Sequence, residues 1–145
     1  MTVELELAAP SAMPAVRALL ASAALPVADL ESVAIRFLVA RDGRSLAGAI
    51  GLERYGDTGL LRSLVVAASH QRRGIGRTLV AEVERDAKAA GVTLLVLLTE
   101  TAEPFFAKHG YRVTDRKSVR GGVQGSAEFR SLCPASATCM TKSLV

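Results

Sequence analysis

The sequence predicts a mixed α/β (α+β) fold: a sheet of about six to seven strands flanked by helices, built around a β-α-β core. Three observations predict it. Two β-rich runs, Ile35 to Ala40 and Leu46 to Glu53, are joined by Arg41-Asp42-Gly43-Arg44, where the Asp-Gly pair marks a hairpin. A helical segment runs from Ile75 to Ala90, with Ile75, Leu79, Val80, Val83 and Ala87 on one face and Gly91 as its stop. Five consecutive aliphatics from Leu94 to Leu98 then mark a strand buried on both faces. A strand before the helix and a strand after it imply a right-handed parallel crossover.

The remaining elements follow in order. Val3 to Leu7 alternates and reads as a short strand; Pro10-Ser11 starts a helix to about Ala24, with Val16, Leu19, Leu20 and Ala23 on one face. Asp29 is placed to cap one or two further helical turns. Gly56-Asp57-Thr58-Gly59 marks a second turn, so Leu60 to Val66 returns antiparallel and completes a three-stranded meander. After Leu98 come a short helix from Ala102 to Lys108, a strand from Tyr111 to Thr114, a polar loop with some helix from Asp115 to Ser126, and a closing strand from Ala137 to Leu144.

Composition bounds the function. The 145 residues, 50% hydrophobic and 22% charged, suit one globular domain, and no repeat or low-complexity linker divides 1–145. Net charge is +4, but aromatics make up only 4% and no long Lys/Arg block occurs, so no nucleic-acid partner is expected. Ser11 to Leu25 is interrupted by Pro14 and Arg17, which argues against a signal peptide or membrane span; a cytoplasmic protein is expected. Cys133 and Cys139 are too few for a disulfide framework, and their spacing is not that of a metal site.

The most informative stretch is Leu64-Val65-Val66 followed by Gln71-Arg72-Arg73-Gly74-Ile75-Gly76-Arg77-Thr78. A buried strand passes through a short polar loop into Gly-x-Gly and the first turn of a helix. The free N–H groups of that turn and the positive end of the helix dipole make a seat for phosphate, and glycine keeps side chains out of the way. Arg72, Arg73 and Arg77 add charge beside a diphosphate. A dinucleotide fingerprint would want a third glycine at Leu79; a nucleotide-triphosphate loop would want glycine at Gln71 and lysine at Arg77.

Gln71-Arg72-Arg73-Gly74-Ile75-Gly76 resembles the acetyl-CoA motif of the GNAT superfamily of N-acetyltransferases, Gln/Arg-x-x-Gly-x-Gly/Ala after a strand. A second family pattern, Asn-x-x-Ala-x-x-Phe-Tyr followed by Gly-Phe or Gly-Tyr, is kept in frame from Thr99 to Tyr111. Its Asn is Thr99 here, its Ala is Ala102, and its Tyr is Phe106. The resemblance implies a single GNAT-like domain that moves an acetyl group from acetyl-CoA, as cosubstrate, to an amine by direct attack. In the family, the backbone of Leu64 to Val66 holds the pantetheine in a cleft where two strands splay apart. A backbone donor there, Val66, serves as an oxyanion hole worth roughly 3–4 kcal/mol.

An amine with a pKa near 10.4 is rarely deprotonated at neutral pH, a penalty of about 4 kcal/mol that a general base offsets. Glu100, after the buried strand, is the first candidate and equally readable as a surface carboxylate; Glu53 is the second, at a strand end where a solvated charge is the commoner outcome, with Glu103 also near. The family tyrosine that protonates the leaving thiolate is Phe106 here; Tyr111, Thr99, His109 or a water are the replacements, and a thiolate leaves tolerably well unaided.

Arg62 lies where many relatives carry an acidic residue facing the acceptor amine, so it favours an acceptor with its own anion, such as an amino acid carboxylate, unless it points outward from a strand edge. Tyr55 and Arg130, with Arg36, are further substrate candidates. The stretch from Thr99 to Tyr111 and the tail Glu128 to Met140 resemble the arsenic-resistance branch of the superfamily, which implies a small amino compound or amino-acid-like arsenical as acceptor. Cys133, beside Pro134, is the candidate substrate contact, whereas Cys139 falls on one face of the closing strand as core. Two other functions stay open: acetylation of a protein amino group, and binding of acetyl-CoA or an arsenical without turnover. The resemblance also allows a homodimer.

Overall fold

In the computed structural model, residues 3–31 and 34–145 are described. Seven strands form one mixed sheet: β1 (Glu4–Leu7), β2 (Arg36–Asp42), β3 (Ser45–Tyr55), β4 (Thr58–Val66), β5 (Leu94–Thr99), β6 (Arg112–Val113) and β7 (Thr138–Ser143). Their order is β1-β2-β3-β4-β5-β7-β6. The helices are α1 (Met13–Ser22), α2 (Ile75–Ala89) and α3 (Glu103–Lys108). The expected fold class is therefore observed, with seven strands among the described residues.

Residues pack into two compact units, one of Met1–Glu53 with Ser63–Arg85 and one of Arg54–Arg62 with Asp86–Val145. In the first, β1 pairs antiparallel with β2 and β2 with β3, through a two-residue turn in which Gly43 takes the left-handed φ of +62°. Val16 and Leu20 of α1 join Leu30, Phe37, Val39, Ala49 and Val65 in a buried cluster. Ala23 is exposed because α1 ends one residue earlier. The segment after Asp29 differs from expectation: Asp29 to Glu31 is a turn and Asp29 itself is buried, while the rest of that expected helix, Ser32 and Val33, lies outside the described residues.

In the second unit, β5 pairs antiparallel with β7 along its whole length, Leu94 with Ser143 through Thr99 with Thr138, and β6 pairs with the other edge of β7. Leu60, Val96, Val119, Val123, Phe129 and Cys139 form its core, so Cys139 is the packing residue its alternation suggested. Helix α2 ends at Ala89 and is closed off by Gly91, φ +93°, with the N–H of Val92 reaching Ala87 O at 2.9 Å and that of Gly91 reaching Lys88 O at 3.1 Å.

Candidate active site

Strand β4 is buried at Thr58–Ser63 and Val65, and half-exposed at Leu64 and Val66, so those two present one face of the strand end. Ser63 interrupts it with a left-handed φ of +60°, uncommon for a residue with a side chain. Parallel pairing with β5 runs only from Thr58/Leu94 to Leu60/Val96, although both strands continue beyond.

The Gln71 to Gly76 turn follows within the first unit. Ala67 donates its N–H to Ala47 O at 2.8 Å, and a short 3₁₀ turn, Ala68–His70, closes with His70 N–H on Ala67 O at 2.8 Å. The Gln71 side-chain amide donates to Val66 O at 3.3 Å. Arg72 (φ +66°) and Gly74 (φ +77°) are both left-handed. For Gly74 this is free; for Arg72 it costs about 1–3 kcal/mol that the surroundings must hold. Thr78 ties down the far side, its N–H and hydroxyl both donating to Gly74 O, at 3.0 and 2.9 Å.

Helix α2 begins at Ile75, whose side chain is buried with Leu79, while Gly74 and Gly76 are half-exposed and Arg72, Arg73, Arg77 and Thr78 are exposed. The first N–H groups of a helix have no intrahelical acceptor, so this end offers donors and three guanidinium groups. Gly48 of β3 sets how closely it packs: a Cβ there would lie 2.9 Å from Val65 O and 3.1 Å from a Leu79 methyl. Sequence reasoning did not single out Gly48, and a glycine inside a strand is the signal that could have found it.

In the second unit, Arg62, Glu128 and Cys133 come together. Arg62 Nε lies 3.4 Å from Glu128 Oε2, with side-chain exposures of 0% and 4%. Arg62 is therefore not an outward strand-edge arginine. The Cys133 thiol is pushed up from its ordinary 9.0 to about 12, first by burial and then by the charge and hydrogen bond of Glu128, against smaller opposing effects of Arg116 and Arg62. Burial likewise raises Cys139. Both stay thiols at neutral pH.

Glu128 and Cys133 owe their positions to a feature the sequence did not announce. The tail before the last strand is one π-helical turn, Glu128–Leu132, closed by the N–H of Cys133 on Glu128 O, five residues back, at 3.1 Å. Arg116 caps it, donating to Phe129 O at 2.7 Å and Pro134 O at 2.8 Å, with longer contacts to Glu128 O and Cys133 O. Its guanidinium also sits 5.4 Å from the Phe129 ring centre. A lone arginine in a polar loop gives no hint of this. That loop is itself ordered: Gln124 donates to Arg116 O and Val119 O at 2.8 and 2.7 Å.

Of the other candidates, Glu53 is buried, 2% exposed, where a solvated charge had been the commoner expectation, and no buried side-chain polar atom among the described residues lacks a hydrogen-bond partner. Glu100 is exposed after β5, and Glu103 is exposed in the first turn of α3. Thr99 acts locally, its hydroxyl accepting the N–H of Ala102 at 2.9 Å and so closing the turn into α3. Phe106 is buried and packs edge-on to Tyr111, ring centres 5.3 Å apart. His109, half-exposed, meets the Phe105 ring edge-on at 4.6 Å. Tyr55 is half-exposed against the core of the second unit, and Arg36 and Arg130 are exposed. Among the described residues no group of three or more His, Cys, Asp or Glu could hold a metal ion, and no helix is long and apolar enough to cross a membrane.

A family model described as an acetyltransferase (GNAT) domain matches residues 22–126. The chain belongs to the GNAT acetyltransferase family. Two relatives of this GNAT chain are an uncharacterized N-acetyltransferase, YjcF, of Bacillus subtilis, 33% identical over 81 residues, and an IAA acetyltransferase of Azospirillum brasilense, 37% identical over 76. The matches take in 55% and 49% of this chain, and they span only 58% and 50% of the two relatives' lengths. The fold is also that of N-acetylglutamate synthase from Neisseria gonorrhoeae, a structure complexed with coenzyme A and N-acetyl-glutamate. It has a TM-score of 0.85 at 18% identity, over 100% of this chain and 36% of that one. The GNAT match encloses the whole Gln71 to Thr78 turn, the π turn beginning just beyond its end.

Proposed function

We propose that the chain transfers an acetyl group from acetyl-CoA to the amine of a small molecule. The observation that carries this reading is the turn from Gln71 to Gly76, with its left-handed Arg72 and Gly74 opening directly onto α2. A diphosphate fits the donor set there: backbone N–H groups of Gly74, Ile75 and Gly76 and the guanidinium groups of Arg72, Arg73 and Arg77, with Thr78 holding the turn through its two bonds to Gly74 O. Acetyl-CoA would supply a thioester-activated acetyl group. Leu64, Val65 and Val66 would hold the pantetheine by their backbone, and the Val66 N–H would stabilise oxyanion charge. Thr99, Ala102 and Phe106 complete the cofactor side as the family pattern has it.

Glu53 and Glu100 are the bases of this reading. Glu100 is exposed after β5 and Glu53 is buried in β3, and either would serve as the general base by accepting the amine proton. Phe106 carries no proton to give, so water would supply the proton that the leaving CoA thiolate takes up. The solved fold relative that holds N-acetyl-glutamate supports an amino-acid acceptor. Tyr55, Arg130, Arg62 and Cys133 are its proposed contacts, with the Arg62 charge shared with Glu128. An amino-acid-like arsenical is a narrower form of the same acceptor.

Release of free CoA thiol, measured against amino acids, an amino-acid-like arsenical, simple amines and peptides, tests this. Turnover with small amines and not with peptides is the expected result. Turnover with peptides alone would overturn the small-molecule reading. One observation favours a second reading, a module that binds acetyl-CoA without turnover: Phe106, in the place of the family acid, is a core ring against Tyr111. Tight acetyl-CoA binding with a flat response to every acceptor would establish it instead.

A further inference from the structure

We propose that Asp42 and His70 are positioning residues for the diphosphate seat, acting by bracing the turn that Arg72 strains; this rests on the reading above that the turn seats acetyl-CoA. Asp42 ends β2, and His70 ends the 3₁₀ turn that leads into Gln71. His70 Nε2 lies 2.9 Å from Asp42 Oδ2, a contact across 28 residues of sequence. A carboxylate only accepts, so Nε2 carries the proton and donates; in the neutral ring Nδ1 then accepts from the Ser69 hydroxyl at 2.8 Å. Both ring nitrogens are thus engaged, and the residue is 9% exposed. The imidazole is fixed in place and in tautomer.

The consequence is felt two residues later. Arg72 holds φ +66°, which a residue with a Cβ keeps only where the chain on both sides is fixed. On the far side Thr78 fixes Gly74 with two bonds to its carbonyl. On the near side the backbone is held at Ala67 by Ala47 O, and the last long-range side-chain anchor before Arg72 is His70 on Asp42. The left-handed pair Arg72 and Gly74 hangs between these two anchors, and it is this pair that turns the N–H groups toward a phosphate. Without the brace, Arg72 relaxes to a right-handed or extended conformation and the seat opens.

The test is calorimetric binding of CoA to the full chain, in a cycle that combines Asp42→Ala with Arg72→Gly. Asp42→Ala is expected to weaken CoA about tenfold, and Asp42→Asn, whose amide oxygen still accepts from Nε2, to recover to within about threefold of wild type. In the Arg72→Gly background, where glycine takes φ +66° without help, the same Asp42→Ala change is expected to cost about twofold or less. Equal losses in both backgrounds, or an Asp42→Ala protein that binds CoA as wild type does, would overturn the proposal. Wild-type protein that binds no CoA would overturn the acetyl-CoA reading itself, a distinct outcome. If melting shows Asp42→Ala unfolded, His70→Ala replaces it in the cycle with the same two outcomes.

Discussion

Arg62 on β4 and Glu128 on the π turn form an ion pair at 3.4 Å with almost no solvent on either side chain. Breaking such a pair from one side leaves a buried charge without this partner, at a cost of about 3–5 kcal/mol, whereas replacing both partners with apolar residues costs far less. Glu128→Ala is therefore expected to lower stability by about that amount in urea unfolding. The double variant Arg62→Met/Glu128→Leu is expected to recover most of it. A Glu128→Ala protein as stable as wild type would show that the pair carries no weight.

The raised Cys133 thiol fixes a direction for alkaline stability. Its folded pKa of about 12 lies above the ordinary 9.0, so between those values the unfolded chain releases a proton that the folded chain retains. Its contribution is fully present below pH 9 and is lost as pH climbs from 9 toward 12; Cys139 acts in the same sense. Urea midpoints at about pH 8, 9 and 10 are expected to fall less steeply for Cys133→Ala than for wild type. Alkylation of native Cys133 at about pH 8 is expected to be slow and to accelerate in Glu128→Gln, since the carboxylate helps hold the proton.

Gly74 tests the phosphate seat directly. Its φ is +77°, and an added Cβ would lie 3.3 Å from an Arg77 terminal nitrogen. Gly74→Ala is expected to cost about 1–2 kcal/mol in CoA binding through backbone strain alone. Gly74→Asp adds a negative charge facing the diphosphate and is expected to abolish detectable binding. Unchanged calorimetric affinity in Gly74→Asp would remove the diphosphate from this turn.

Gly48 governs the seat from behind. A methyl group there meets the carbonyl of Val65 at 2.9 Å, a backbone atom that cannot swing aside. Gly48→Ala is expected to destabilise the fold by about 1–3 kcal/mol, as overpacking does, and to weaken CoA as Ile75 and Leu79 are displaced. Thermal melting and CoA titration of the one variant measure both effects.

Thr99 stands where the family pattern has asparagine, and its hydroxyl takes the N–H of Ala102. Thr99→Val keeps the shape and loses the acceptor, so it is expected to cost about 1–3 kcal/mol, while Thr99→Ser retains nearly all stability. Equal melting temperatures for the two variants would mean that the bond contributes nothing.

Much of this was legible in sequence. Ile75, Leu79, Val80, Val83 and Ala87 recur at helical spacing and are all buried; Leu95, Val96 and Leu97 form an unbroken aliphatic run and are buried too. Gly43, Gly91 and Gly74 occupy left-handed positions where turn, stop and seat were expected. These are local properties: periodicity and glycine placement act within a few residues, so a chain read in order reveals them.

The π turn was not legible, because Glu128 to Leu132 has no periodicity that distinguishes it from the approach to a strand and its cap is Arg116, twelve or more residues away. The burial of Arg62, its partnership with Glu128, and the raised Cys133 thiol follow from that turn. Nor does sequence show that β7 pairs between β5 and β6, or that Asp42 reaches His70. The sequence by itself determined the class of fold, the order of its elements and the turn that opens α2, since each depends on residues that are neighbours in the chain. Tertiary structure alone decided which charges are buried and what braces that turn, because a charge or a strained φ is held by whichever distant residue the fold brings within hydrogen-bond reach.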